Sequence, residues 1–307
     1  MLASFFNKSK PINFIIIALY MLLLYSVAVY KNDFSLEYTN IILVIVVGFI
    51  AYVFSMFVLN TTTQRNNLTK KSTNTIVLFA FLTTVLPYGL TNPSILLSNA
   101  LLILGIQNVL NLRTGKFTKI NILNASLCIG LASLAYFWSI GFISIVFLGI
   151  LYFDSKNYRN WVIPLISILI IYVFATCFYL IMYDSFFSIS GYIDTVSFSY
   201  ENYLTRDKLF FIGVFSICIV FFVSVYLAKF NKKAKKTKPI LQLVIAQLLV
   251  GIVIVLIVPV KDTSEMIFIA APLAILGTTY LELGHNNLVK EINIWVFLMV
   301  PLLVALF

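Results

Sequence analysis

Asp194, Glu201 and Arg206 have the strongest claim to chemistry in this 307-residue chain. They lie in DSFFSISGYIDTVSFSYENYLTRDK, Asp184 to Lys208, a polar stretch between two apolar runs with four acids (Asp184, Asp194, Glu201, Asp207) and two bases (Arg206, Lys208). A carboxylate within hydrogen-bond reach of a substrate proton can act as general base, and a guanidinium can clamp a phosphate. Asp194, Glu201 and Arg206 are therefore the catalytic candidates. Tyr192, Tyr200 and Tyr203 in the same stretch offer faces on which a sugar could stack, so Tyr192 and Tyr203 are taken as substrate-binding candidates. The same rings also suit a membrane-interface belt. No spacing here is diagnostic by itself, and a solvated or interfacial loop is the plainer alternative.

Asn99, Gln107 and Asn111 form a second set. Separations of eight and four put them on one helical face, with Asn108 beside it. Amides in hydrocarbon need partners, so this face should look into a bundle, either as glue between helices or as the lining of a ligand path. Gln242 and Gln247, in a later apolar run, are candidates to meet them. Glu282 reads as an interfacial side chain reaching water. Pro272 and Pro301 lie inside apolar runs, where each should kink its helix and free a carbonyl about four residues earlier. The single histidine, His285, excludes chemistries that need several imidazoles. Cys128, Cys177 and Cys218 stand alone in apolar runs without CxxC spacing, so zinc ligation is not expected and no metal or cofactor is assigned.

The elements that hold these residues can be read from composition. Hydrophobic residues make up 61% of the chain and charged residues 10%, against about a quarter charged in soluble domains. The apolar residues come in blocks of about twenty, the length that crosses the hydrocarbon of a bilayer. This is an all-α polytopic transmembrane bundle, one integral membrane domain over residues 1–307. Its first partner is the lipid bilayer. The net charge of +10 does not point to nucleic acid, because its distribution explains it.

Spans are expected near Ile12–Tyr30, Asn40–Leu59, Thr75–Leu90, Pro93–Asn111, two within Asn121–Phe153, Val162–Tyr183, Leu209–Ala228, Ile240–Val258, Glu265–Leu283 and Ile292–Phe307. The run Thr75–Asn111 would exceed about 50 Å as one helix and should break at PYGLTNP. Asn121–Phe153 should break near Trp138–Gly141. That makes eleven crossings. The loop KFNKKAKKTK, Lys229 to Lys238, has six lysines and no acid, which places residues 229–239 in the cytoplasm. An alternating thread then puts the N-terminus inside and the C-terminus outside. Of the 21 bases, 17 fall inside; only Lys31, Arg206, Lys208 and Lys261 fall outside. A bacterial cytoplasmic (inner) membrane is the simplest home. No charged side chain is expected clearly at mid-bilayer, which weighs against a proton-coupled path.

FFNKSKPIN, NILNASLCIGLASLAYFWSIGF and NYRNWVIPL resemble an uncharacterised family of multi-span inner-membrane proteins of Bacteroidota, along the whole chain. That resemblance implies membrane class and no catalytic residues. A second likeness is to integral-membrane glycosyltransferases and glycan polymerases that use polyprenol-linked sugars. It rests on the many spans, the acids in the first outer loop and the later aromatic-rich outer loop. By that likeness Asp33 and Glu37, in the short loop DFSLE, would contact substrate. Three functions are open: an envelope enzyme acting on a lipid-linked glycan or similar amphiphile, a transporter or flippase, and a non-catalytic scaffold bound to other membrane subunits. The thread itself is testable. A reporter fused after Phe307 should be active only outside the cytoplasm, and cytoplasmic activity would invert or break the eleven-span order.

Overall fold

The computed structural model describes residues 5–6, 9–31, 38–70, 72–187, 192–193, 195–230, 237–283 and 287–306. Among these the chain is helical, without strands. The helices are α1 (Pro11–Lys31), α2 (Tyr38–Arg65), α3 (Asn74–Thr84), α4 (Pro87–Leu90), α5 (Pro93–Asn111), α6 (Thr118–Ala135), α7 (Ile143–Phe153), α8 (Tyr158–Tyr183), α9 (Arg206–Phe230), α10 (Lys238–Ile257), α11 (Ile267–Leu281) and α12 (Asn287–Leu306). Short 3-10 turns lie at Phe137–Phe142, Glu201–Tyr203 and Ser264–Met266. Among the described residues nine helices, all but α3, α4 and α7, are long and apolar enough to cross a membrane. The peripheral ones expose large apolar side chains, such as Phe174, Ile181, Ile217 and Val220. A surface of that kind suits lipid tails rather than water.

The expected breaks appear where the backbone signals put them. Pro87 and Pro93 open α4 and α5 at the first helical turn, where a missing N–H costs nothing. The Asn92 side chain caps α5 by accepting from the Ile95 N–H at 3.3 Å. The other long run breaks over Phe137–Phe142. Helix ends differ more. The sequence predicts that the second span stops at Leu59, but α2 runs to Arg65. Thr61, Thr62 and Thr63 donate their hydroxyls to carbonyls of Val58 and Asn60 within the same helix, so a polar run that reads as loop stays helical. Likewise α9 starts at Arg206 rather than Leu209, and α12 at Asn287 rather than Ile292.

Two helices sit at the centre. Every residue of α3 is buried, and every residue of α11 except Tyr280. A helix apolar all round has no face for water and is either enclosed or set against lipid; here α3 and α11 are enclosed. Around α3 lie α1, α2, α11 and α12; α9 and α10 pack against α11; and α5 to α8 form a flanking group joined through α2. Thr278 of α11 donates to Thr75 of α3 at 3.1 Å, and Tyr52 of α2 is hydrogen-bonded to Thr83 of α3. Pro272 lies within α11, and the Phe268 carbonyl that it frees faces Gly251 of α10.

The bundle has two chemically distinct ends. At one, Thr73 donates to the Phe6 carbonyl at 2.8 Å and Arg113 to the Asn66 carbonyl at 3.2 Å. Glu282 does more here than reach water: its Oε1 accepts from the Lys70 backbone N–H at 2.6 Å and the Ser72 hydroxyl at 3.3 Å. Helix directions bring Lys10, Arg65, Lys70, Arg113, Lys229, Lys238 and Lys290 to this end. At the other end lie Lys31, Arg206, Lys208 and Lys261. The short helices join the same two ends. α3 runs from Thr73, beside Asn13 of α1, to Thr84, near Ala28. The segment Phe137–Phe153 runs from Gly141, facing Ile254, to Gly149, facing Leu112.

Without a hydrophobic force between helices in lipid, close packing holds the bundle together. Gly277 of α11 shows how close. A Cβ there would lie 2.9 Å from the Phe222 ring of α9 and 3.1 Å from Leu78 of α3. Gly277→Val should therefore destabilise the fold by about 1–3 kcal/mol through overpacking, read as a lower Tm in detergent. Gly213→Val, at a site with nothing within 4 Å, should not lower it.

Candidate functional site

At the base-poor end a cavity of about 840 Å³ lies between α1, α9 and α12. Its walls are apolar: Leu24, Val27 and Ala28 from α1, Phe210 and Phe211 from α9, and Val300, Leu303 and Val304 from α12. Thr84, Pro87 and Tyr88 also line it. The Thr84 hydroxyl is already bound to the Ala80 carbonyl at 2.6 Å. The rim is charged, with Lys31 from the last turn of α1 and Arg206 and Asp207 from the first turn of α9. Lys208 stands nearby, its Nζ 5.5 Å from the centre of the Tyr88 ring, within the range of a cation–π contact. A groove with apolar walls and a polar rim has the shape of a seat for an amphiphile.

Beside this groove the outer loop is pinned by a buried polar knot. Lys261 is 0% exposed. Its Nζ donates to the Ser197 carbonyl at 2.6 Å and the Val258 carbonyl at 2.7 Å, and lies 4.7 Å from the Tyr200 ring centre. Ser197 N–H donates to the Ile257 carbonyl at 3.2 Å. Glu265 is also fully buried, and the Tyr203 hydroxyl donates to its Oε1. Burial, and then the adjacent Glu265 charge, push the Tyr203 phenol above its usual range, so it remains a donor at any physiological pH. Between Lys261 and Glu265, Thr263 holds a left-handed backbone with φ of 74°, unusual for a β-branched residue. Asp262 Oδ1 supports this turn by accepting from the Ser264 N–H at 3.0 Å and from the Ser264 hydroxyl. The knot and the groove share α4. Tyr88 lines the groove, while a Cβ on Gly89 would meet Ile267 and come within 3.4 Å of Ser264.

The residues singled out from the sequence fall in several places. Arg206 is at the groove rim. Glu201 is exposed and opens the 3-10 turn before it. Tyr203 is in the knot. Tyr192 donates to the carbonyls of Ser133 and Leu134 at 2.9 and 2.6 Å, closing the end of α6. Asp194, Asp33, Glu37 and His285 lie outside the described residues. On α5, Asn99 is buried, Asn111 is half-buried, and Gln107 donates to Thr61 of α2 at 3.2 Å. The partner of Gln107 is thus on α2 rather than α10, because α5 packs along α2.

Lys261 and Glu265 do not stand out in the sequence, where the first reads as a loop residue and the second as a span end. The available signal is a lysine and a glutamate four residues apart in the short PVKDTSE link between two long apolar runs. A link that short cannot carry its charges far from the bundle.

A sequence profile of a family of unknown function, DUF6427, matches residues 4–307. No curated protein and no solved structure matches the chain. The family match agrees with the resemblance to an uncharacterised family and says nothing about glycosyl transfer.

The knot makes a testable pair. Tyr203→Phe removes a hydroxyl donor from a buried carboxyl and should cost about 1–3 kcal/mol, seen as a drop in Tm. Tyr203→Phe combined with Glu265→Leu, which removes both partners, should be milder than Tyr203→Phe alone. An equal or larger loss in the double variant would mean that the pair is not a closed unit.

Proposed function

We propose that this chain, which belongs to the family of unknown function DUF6427, is a multi-pass membrane protein that takes an amphiphile sideways from the bilayer into the groove between α1, α9 and α12. The observation that carries this reading is the groove itself. Apolar side chains from three membrane-length helices line an open groove of about 840 Å³, and its described charged side chains come from the helix ends, Lys31 of α1 and Arg206 and Asp207 of α9. Its volume is within the range of pockets that bury small ligands, roughly 300–1,000 Å³.

The eleven-crossing thread supplies the direction. With the lysine loop in the cytoplasm, α3–α4 and Phe137–Phe153 complete the crossings that the nine longer helices leave out. The groove then faces the outer half of an inner membrane. An envelope amphiphile, such as a lipid-linked glycan, is the class of substrate that this placement suits, and Arg206 is the catalytic candidate placed to meet its headgroup. The transporter reading draws on the amide face of α5. It receives less support, because Gln107 is engaged with Thr61 in a helix–helix contact. The scaffold reading has no particular observation in its favour.

The test is occupancy. Protein extracted with its native lipids and analysed by native mass spectrometry should carry a retained lipid. Leu303→Trp and Val27→Trp, both at lining positions, should each fill the groove and lower retention about tenfold, with Tm little changed. Undiminished retention in both folded variants would remove the groove as the binding place.

A further inference from the structure

We infer that the groove holds a lipid with a net-anionic, phosphate-bearing headgroup, gripped at the rim by Arg206, Lys31 and Lys208. This rests on the reading of the groove as an amphiphile site and adds the chemistry of the headgroup. The case comes from where bases are scarce. Retained bases mark the cytoplasmic side of a membrane bundle, so bases at the opposite end are not there to set orientation. Among the described residues four lie at that end. One of them, Lys261, is enclosed and bonded to two carbonyls. The other three come from distant parts of the sequence, the last turn of α1 and the first turn of α9, and collect at one rim. Among the described lining residues the charged ones are Lys31, Arg206 and Asp207, and with Lys208 beside Tyr88 the described rim sets three cations against one carboxylate.

The residue types narrow the ligand further. A guanidinium presents a planar fork of donors that matches phosphate oxygens, and two ammonium groups add point charges. The first turn of the 25-residue α9 adds the positive end of its dipole at the same place. An uncharged headgroup leaves Asp207 as the one described carboxylate against three cations. A zwitterionic one brings its own ammonium against them. A headgroup whose phosphate is not balanced by an ammonium satisfies all of them, while its chains lie along α1 and α12.

The full-length protein, stripped of lipid in a neutral detergent, is offered phosphatidylglycerol, phosphatidylcholine and diacylglycerol with identical acyl chains, and retention is read by native mass spectrometry. Phosphatidylglycerol should be retained about tenfold or more over the other two. Arg206→Gln with Lys31→Gln, both exposed positions, should abolish that preference while leaving diacylglycerol retention as it was. Equal retention of all three lipids, or a preference untouched by the double variant, overturns the headgroup assignment and leaves the groove reading intact. Loss of the phosphatidylglycerol preference in millimolar inorganic phosphate, at matched ionic strength, assigns the rim to a free anion and also overturns it. Failure of the groove reading shows differently, as retention that Leu303→Trp and Val27→Trp do not change.

Discussion

Placing a charged side chain at the centre of a bilayer costs about 2.5–3.5 kcal/mol on insertion scales, and only 10% of this chain is charged. Most of the structure can be read as the consequence. Among the described residues bases gather at the two ends of the bundle, and one end holds most of them. The interior is left mostly to apolar side chains, with a few amides such as Asn99 and Gln247 and with hydroxyls that can return their hydrogen bonds to the helix that carries them. Thr83, Thr84 and Thr278 do this with carbonyls three or four residues back. Such residues can sit in the central helices α3 and α11 without asking for water.

Of the two enclosed ionisable groups, Lys261 donates to two carbonyls, and Glu265 accepts from Tyr203 through Oε1 while its buried Oε2 has no hydrogen-bond partner. Lys261 and Glu265 lie at the end of the bundle, and each is held by groups from the outer loop. The result is a loop attached by its own polar atoms, with Ser197, Tyr200 and Tyr203 drawn onto the bundle. That attachment also positions the next helix. Tyr203 stands three residues before Arg206, so pinning the loop sets where α9 begins and where its first charged turn meets the groove. The knot therefore contributes to the site by placing the rim, although no rim residue belongs to it.

The glycines show how the same bundle reaches its packing. At Gly277, Gly149 and Gly89 a single added carbon would press on a neighbouring side chain at 2.5–2.9 Å. α11 can approach α9, and α7 can approach α5, only because those positions carry no side chain. The groove lies where the opposite happens. There α1 and α12 meet at Tyr20, whose hydroxyl donates to the Leu298 carbonyl at 2.9 Å, and beyond that contact their apolar faces line a cavity with α9.

Much of this was legible from residue order. Apolar blocks of about twenty, the breaks at Pro87, Pro93 and Trp138–Gly141, and the sorting of bases to two ends all arise from local rules of length, turn chemistry and charge. Helix ends were less legible: the threonines after Asn60 look like loop, yet they satisfy themselves within α2. The contacts of the singled-out residues were not legible at all. Whether Gln107 meets Thr61 or a glutamine of α10, or whether Tyr203 faces a sugar or Glu265, depends on which helices become neighbours. By itself the sequence determined the membrane class, the places of most helices long enough to cross and the two unlike ends, because hydrocarbon thickness and the cost of charge act on each segment separately. Only the tertiary structure decided that Lys31 and Arg206 share a rim and that Lys261 and Glu265 are enclosed, because those facts arise from the lateral order of helices, which nothing in a single segment encodes.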